Sequence, residues 1–309
     1  MSDIKLFSLS ADAASELPGT AAALERDLQN QIEAHMLGFL GVHFLASEYG
    51  TGKTHKGRID SLGLDENGCP VIIEYKRSKN ENVINQGLFY LDWLLDHQAE
   101  FKWLVMEKLG KDQAESIEWS GTRLICIASD FNRFDEHAVQ QINRNIELMR
   151  YRYFGKDLLL LELINAHSAT QSVSTTPPVQ AELPPKTRSN DKSQADRLAE
   201  APQSLKNLYD EICQFTEQLG DEVQRKELKL YTAFKRIKNF ASFLIVHGNN
   251  DPRLVIYLKL PGVEAENYPN ARNVTEIGHW GTGDFELVIR DPSDLDVAQE
   301  LITKSYERS

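Results

Sequence analysis

Three residues set the chemistry open to this sequence: Asp60, Glu74 and Lys76. They lie in the stretch 57–95, GRIDSLGLDENGCPVIIEYKRSKNENVINQGLFYLDWLL. Asp65-Glu66-Asn67-Gly68 divides the first part of it, and an Asn-Gly pair between β-prone runs is a hairpin signal. The reading is therefore two antiparallel strands, followed by a helix from about residue 82. A loop centred near Asn67 places Asp60 opposite Glu74, within one residue. Cross-strand Cβ atoms lie roughly 4.5–5.5 Å apart, and two carboxylates so opposed repel. Burial would also cost them solvation or a proton. A divalent cation removes the conflict, and hard oxygen ligands suit Mg²⁺ or Mn²⁺. Strand alternation puts Lys76 on the face of Glu74 and Tyr75 on the other. A Glu-x-Lys at a strand end is often an ordinary surface ion pair. Here Val71-Ile72-Ile73 is too apolar for a surface strand, so the acid that ends it needs a reason.

Several elements must position these groups. Leu24, Leu28, Ile32 and Met36 recur at i+4 spacing and predict a helix over 21–36, with Glu25 and Arg26 beside the stripe. Residues 4–8 read as a short strand and 41–49 as an edge strand. Helices are expected over 83–97 and 101–109. The apolar run at 122–128 predicts a buried strand. Residues 135–149 read as a helix opened by Asp135. Strands at 151–154 and 158–164 close the region. Trp93 and Trp103 read as core. Strands alternating with helices give an α/β class.

The chain has 309 residues, a prior for two domains, with 41% hydrophobic and 26% charged residues. A net charge of −12 excludes a generally basic nucleic-acid coat and leaves room for a local basic patch. Cys69, Cys126 and Cys213 have neither metal-ligand spacing nor a disulfide framework. With no long apolar run and no signal-peptide pattern at the N-terminus, the expected location is the cytoplasm. Residues 166–203 are rich in Ser, Thr, Pro and Gln and read as a flexible linker. The expected organisation is thus a first domain over 1–165, that linker, and a small α+β domain over 204–309. Its helices are expected at 205–219 and 295–306, with strands between.

The first domain resembles the PD-(D/E)XK nuclease superfamily, in particular its NucS-like endonuclease branch. The match is Gly57-Arg58-Ile59-Asp60, then Glu74-Tyr75-Lys76-Arg77, then Gln86 on the following helix, with Glu25-Arg26-Asp27-Leu28-Gln29 upstream. Ile59 stands where the superfamily's name has proline. The resemblance covers about residues 20–165. It implies a restriction-endonuclease-like mixed sheet flanked by helices and hydrolysis of a phosphodiester, in DNA, with RNA not excluded. It further implies that Asp60, Glu74 and the Tyr75 carbonyl hold one Mg²⁺ or Mn²⁺. Lys76 would orient or help deprotonate a water and offset charge on the phosphate. Glu25 would complete the outer metal shell, and Gln86 would position Lys76 or its strand. Members of such superfamilies also keep the fold without the chemistry, so a non-catalytic nucleic-acid-binding or partner-binding module stands as the alternative. The C-terminal region resembles an uncharacterised domain that accompanies such nuclease-like regions and is loosely labelled a predicted transport protein.

Lys53, His55, Lys56, Arg58, Arg77 and Lys79 surround the motif in sequence and form the expected contacts to nucleic acid. Enzymes that cut both strands often pair two sites, so a homodimer is a further expectation. Gly50-Thr51-Gly52-Lys53-Thr54 is not a phosphate-binding loop. Its first glycine is missing, since Ser47 stands there, and a strand follows instead of a helix.

Overall fold

The computed structural model describes residues 4–52, 56–77, 83–167, 192–246, 251–277 and 282–309. The chain forms two compact units, one from residues 1–168 and one from most of the remainder.

The first unit is a mixed seven-stranded sheet with helices on both faces. Two short strands, β1 (Leu6–Leu9) and β2 (Ala14–Leu17), pair outside it. Then come β3 (Gly19–Thr20), α1 (Glu25–Ala34) and α2 (Met36–Leu40). Next are β4 (Val42–Gly50), β5 (Arg58–Asp65) and β6 (Pro70–Lys76). They are followed by α3 (Val83–Asp96), α4 (Gln98–Leu109) and α5 (Lys111–Glu115). The unit ends with β7 (Arg123–Ala128), α6 (Arg133–Gln140), β8 (Asn145–Phe154) and β9 (Leu158–His167). The spatial order is β3-β8-β7-β6-β5-β4, with β9 on β8. Strands β6, β7 and β8 run parallel, and β4–β5–β6 is an antiparallel meander.

Alternation along the central strands feeds two cores. Val71, Ile73 and Tyr75 pack with Ile125, Ile127, Leu28 and Ile32 under α1. Ile72, Leu124, Cys126 and Leu148 pack with Leu91, Leu94 and Val105 under α3 and α4. Each side chain is fully or nearly fully buried. That two-sided burial is why β6 and β7 read as unbroken apolar runs.

The hairpin is built as its sequence demands. Gly68 has φ +72°, a conformation that glycine adopts without a Cβ clash. Asp65 Oδ1 accepts from the amides of Asn67 and Cys69 at 2.9 and 2.8 Å. Behind the turn, Arg123 sits buried between Asp65 and Glu147, 3.2 Å from the latter.

Several expectations are corrected. The helix expected over 21–36 is two, because His35 leaves helical geometry at φ −127°, ψ 21°. At its other end α1 starts only at Glu25, so Leu24, in extended geometry, falls outside it and is exposed. The helix expected over 135–149 stops at Gln140, and 145–149 begin β8. Parallel pairing of Ile146 with Leu124 and Leu148 with Cys126 overrides the local helical pattern there. The cap of α6 is Asn132, which accepts from Phe134 and Asp135, while Asp135 accepts in return from the Asn132 amide. Trp93 is buried, but Trp103 is exposed on α4.

The second unit is a six-stranded antiparallel sheet. Its helices α8 (Gln203–Glu217) and α9 (Leu295–Glu307) bury Leu208, Ile212, Leu301 and Ile302 against strand residues such as Phe243 and Ile256. A shorter helix, α7 (Gln194–Glu200), belongs to it. Gln194 donates to the Phe243 carbonyl and accepts from the Ile245 amide, which ties α7 to the sheet. The start expected at 204 therefore moves back to 194. Residues 168–191, the greater part of the expected linker, lie outside the described residues.

Candidate active site

The meander β4–β5–β6 brings three acids into a row. The β5–β6 register pairs Ser61 with Ile73, which carries Asp60 opposite Glu74. The β4–β5 register pairs Ser47 with Ser61 and Tyr49 with Ile59, which carries Glu48 opposite Asp60 on the other side. Asp60 thus lies between Glu48 and Glu74.

Asp60 and Glu74 interlock through the main chain. The Asp60 amide donates to Glu74 Oε1 at 3.1 Å, and the Tyr75 amide donates to Asp60 Oδ2 at 3.0 Å. Glu74 is fully buried, and its Oε2 has no hydrogen-bond partner. Burial, and then the Asp60 charge, push the Glu74 carboxyl up to about 9. Burial raises Asp60 as well, against the Tyr75 amide and the Lys76 charge, which lower it. Two carboxylates this desolvated, one with an orphaned oxygen, fit a divalent cation. The oxygens available are those of Asp60 and Glu74, with the Tyr75 carbonyl between them in sequence. Among the described residues, no group of three or more His, Cys, Asp or Glu side chains converges to hold a metal.

Lys76 ends β6 beside this pair. Its Nζ lies 3.2 Å from Glu25 Oε1, and Glu25 Oε2 accepts from the Arg77 amide at 3.2 Å. Glu25 occupies the first turn of α1, where the helix dipole favours an acid. Burial pulls the Lys76 ammonium down. Glu25, with Asp60 and Glu74, outweighs this and leaves Lys76 above its ordinary value.

Helix α1 contributes more than Glu25. Gln29, almost fully buried, donates to the Asp60 carbonyl at 2.8 Å, to Ser47 Oγ at 3.2 Å and to Glu33 Oε1 at 3.0 Å. Ser61 donates to Glu33 Oε1 at 2.6 Å and lies 3.1 Å from the Tyr75 hydroxyl. Glu25, Gln29 and Glu33 are spaced i, i+4, i+8 on one helix face. This polar stripe beside the apolar one is the sequence signal for Gln29 and Glu33, which the motif alone did not single out as site residues.

The motif glycine packs as closely. A Cβ on Gly57 would come within 2.4 Å of the Tyr90 ring. The Tyr90 hydroxyl, from α3, accepts from the Arg58 amide at 3.2 Å. Gln86, on the same helix, is half-buried and makes no hydrogen bond to Asp60, Glu74 or Lys76. Of the expected basic contacts, Lys56, Arg58 and Arg77 are exposed, while Lys53, His55 and Lys79 lie outside the described residues.

Glu48 has φ +53°, left-handed for a non-glycine residue in a strand. Its carboxylate accepts from Arg26 at 2.9 Å and pairs at close range with Arg58. Left-handed geometry costs roughly 1–2 kcal/mol at such a residue. Exposed ion pairs return about 0.2–1 kcal/mol each.

Residues 194–309 match the model of a domain of unknown function, DUF5655. Over 311 aligned residues the chain is 30% identical to an uncharacterised protein of Haemophilus influenzae, covering 98% of this chain and all of that one. Two solved structures share 42% of this chain. They are a repair endonuclease from Pyrococcus abyssi, at 17% identity and TM-score 0.25, and an EndoMS–dsDNA complex, at 18% and 0.25. The chain spans about half the length of each, 48% and 47%. Among the described residues, no helix is long and apolar enough to cross a membrane.

Proposed function

We propose that this chain, which belongs to one family with that Haemophilus influenzae protein, is a metal-dependent endonuclease that hydrolyses phosphodiester bonds in DNA. The observation that carries the reading is Glu74 Oε2, a buried carboxylate oxygen without a partner beside Asp60. Glu48 and Glu147 also keep a buried oxygen without a hydrogen bond, but each is ion-paired with an arginine, whereas Glu74 has no ion pair among the described residues. A divalent ion held by Asp60, Glu74 and the Tyr75 carbonyl would polarise a phosphate and make a bound water acidic.

The remaining work falls to the chain's own groups. Lys76, braced by Glu25, presents an ammonium where negative charge builds on a phosphate in attack. The ion pair keeps Lys76 a cation, so it stabilises charge and orients water in preference to removing a proton. Gln29 holds the Asp60 carbonyl, and the Tyr75 amide holds its carboxylate, so Asp60 is fixed from two sides. Glu33, Ser61 and Tyr75 brace the strands behind it.

A second reading is a nucleic-acid-binding module without catalysis: among the described residues, no group of three or more His, Cys, Asp or Glu side chains converges to hold a metal. Cleavage of labelled single-stranded, duplex and branched DNA, with and without Mg²⁺ or Mn²⁺, separates the two. Metal-dependent cutting by the wild type, lost in Asp60→Asn and Lys76→Ala variants that still fold, is the expected result. Cutting that survives both substitutions would place the chemistry elsewhere, and binding without cutting would leave the module.

A further inference from the structure

Arg26, in the first turn of α1, and Arg58, at the start of β5, come from distant parts of the chain and meet on one carboxylate. Glu48 Oε1 takes Arg26 Nη1, and Oε2 faces Arg58 Nε. Each guanidinium has five N–H donors, and Glu48 engages one face of each. Both side chains otherwise stand in solvent, 58% and 68% exposed, while Glu48 is largely covered. Arg26 donates a hydrogen bond to the carboxylate, and Arg58 lies against its other oxygen as a close ion pair without a hydrogen bond.

Two features set this cluster apart from an ordinary surface ion pair. Glu48 holds a left-handed backbone between Ser47 and Tyr49, which stay in register with Ser61 and Ile59, while the register shift on this strand lies further back, between Phe44 and Ala46. The cost of that backbone, about 1–2 kcal/mol, is of the same order as the return from the two pairs, and a left-handed non-glycine residue held inside a strand is the kind of backbone outlier that clusters at functional sites. The place is the second feature. Glu48 lies directly across from Asp60, and Arg26 follows Glu25 on α1. Arg58 is two residues before Asp60 on β5. In a chain of net charge −12, Arg26 and Arg58 against the single charge of Glu48 put two guanidinium groups beside the half-buried Asp60 and the buried Glu74, where a polyanion would have to approach.

We propose that Arg26 and Arg58, oriented by Glu48, form a clamp for a backbone phosphate of the nucleic acid strand that enters the Asp60–Glu74 site. The proposal rests on the endonuclease reading and adds to it the groups that hold the strand in register. Planar guanidinium forks match phosphate oxygens in pairs, and contacts of this kind position a strand without reading its bases. Glu48 keeps the two forks ordered before the strand arrives, which lowers the entropy cost of docking.

The test is the salt dependence of binding. Affinity for a fluorescent duplex is measured across a salt series, in EDTA and again in Ca²⁺, for the wild type, Arg26→Gln, Arg58→Gln and the double variant. Lys111→Gln, an exposed lysine paired with Glu115 on α5, serves as the charge-matched control. Each lost phosphate contact flattens the slope of log K against log salt by about 0.9. The expected result is that loss in each single variant, about twice as much in the double, and none in the control. Thermal melts establish that all four variants fold.

Equal slopes in every variant, or no DNA binding at all, would overturn the clamp and leave an ordinary surface ion pair. A slope loss matched by Lys111→Gln would reduce it to general charge. Displacement of the duplex by inorganic phosphate at matched ionic strength would assign the pair to free phosphate and also overturn the proposal. The endonuclease reading stands or falls separately. Slope loss without any cleavage by the wild type keeps the clamp and removes the nuclease, whereas cleavage with unchanged slopes does the reverse.

Discussion

The Asp60 amide donates to Glu74 Oε1 at 3.1 Å, so the backbone of one acid satisfies one oxygen of the other and leaves Oε2 buried without a partner. The fold holds Glu74 at a cost. Glu74→Gln keeps the shape, still accepts the Asp60 amide and removes the cost of holding a proton on a buried carboxyl that would ionise in the unfolded chain. Metal-free Glu74→Gln is expected to be more stable than the wild type, by on the order of 1–3 kcal/mol, while losing metal-dependent cleavage. Urea unfolding in EDTA checks it. A lower midpoint for the variant would mean that Glu74 contributes to the fold and is not a strained ligand.

On the metal-dependent reading, the buried Glu74 carboxyl would make a divalent ion a stabiliser. A ligand bound only by the native state adds about 2.7 kcal/mol at a hundredfold excess over its Kd. Mn²⁺ and Mg²⁺ are expected to raise the melting temperature of the wild type. Asp60→Asn, which removes one ligand charge, is expected to melt at one temperature with or without metal. Equal shifts in the two proteins would place metal binding outside the Asp60–Glu74 pair.

The Asp60–Glu74 pairing was legible because a hairpin is local. One Asn-Gly turn sets the register, and the strand period does the rest. Gln29 and Glu33 become site residues only through the docking of α1 across the sheet, a contact over about thirty residues that no local rule specifies. The misreading of 145–149 has the same origin, since β8 takes its strand form from parallel pairing with β7. Glu48 lay in a strand that was expected, but its left-handed backbone has no signature in residue type.

Gly57 tests how tightly the motif strand is held. Its missing side chain is filled by Tyr90, whose ring would meet a new Cβ at 2.4 Å. Tyr90 is buried and also anchors the Arg58 amide, so it has little freedom to withdraw. Gly57→Ala is expected to cost roughly 1–3 kcal/mol. In a Tyr90→Ala background the clash disappears, and the cost of Gly57→Ala should fall close to zero, a coupling that a double-mutant cycle reads directly. Additive effects would mean that the ring and the glycine are not in contact.

The far end of the hairpin depends on one buried cation. Arg123 lies between Asp65, whose other oxygen caps the turn, and Glu147 on β8, so it ties the turn to the parallel part of the sheet. Arg123→Met would bury two acids without their cation, at an expected cost of about 3–5 kcal/mol. Glu147→Met should cost clearly less, because Arg123 keeps its pair with Asp65. If the triad serves only to hold the turn, the order of the two variants in chemical denaturation is fixed by charge balance alone: Arg123→Met falls well below Glu147→Met. The reverse order would show that Glu147, and not the cation, anchors this end of the sheet.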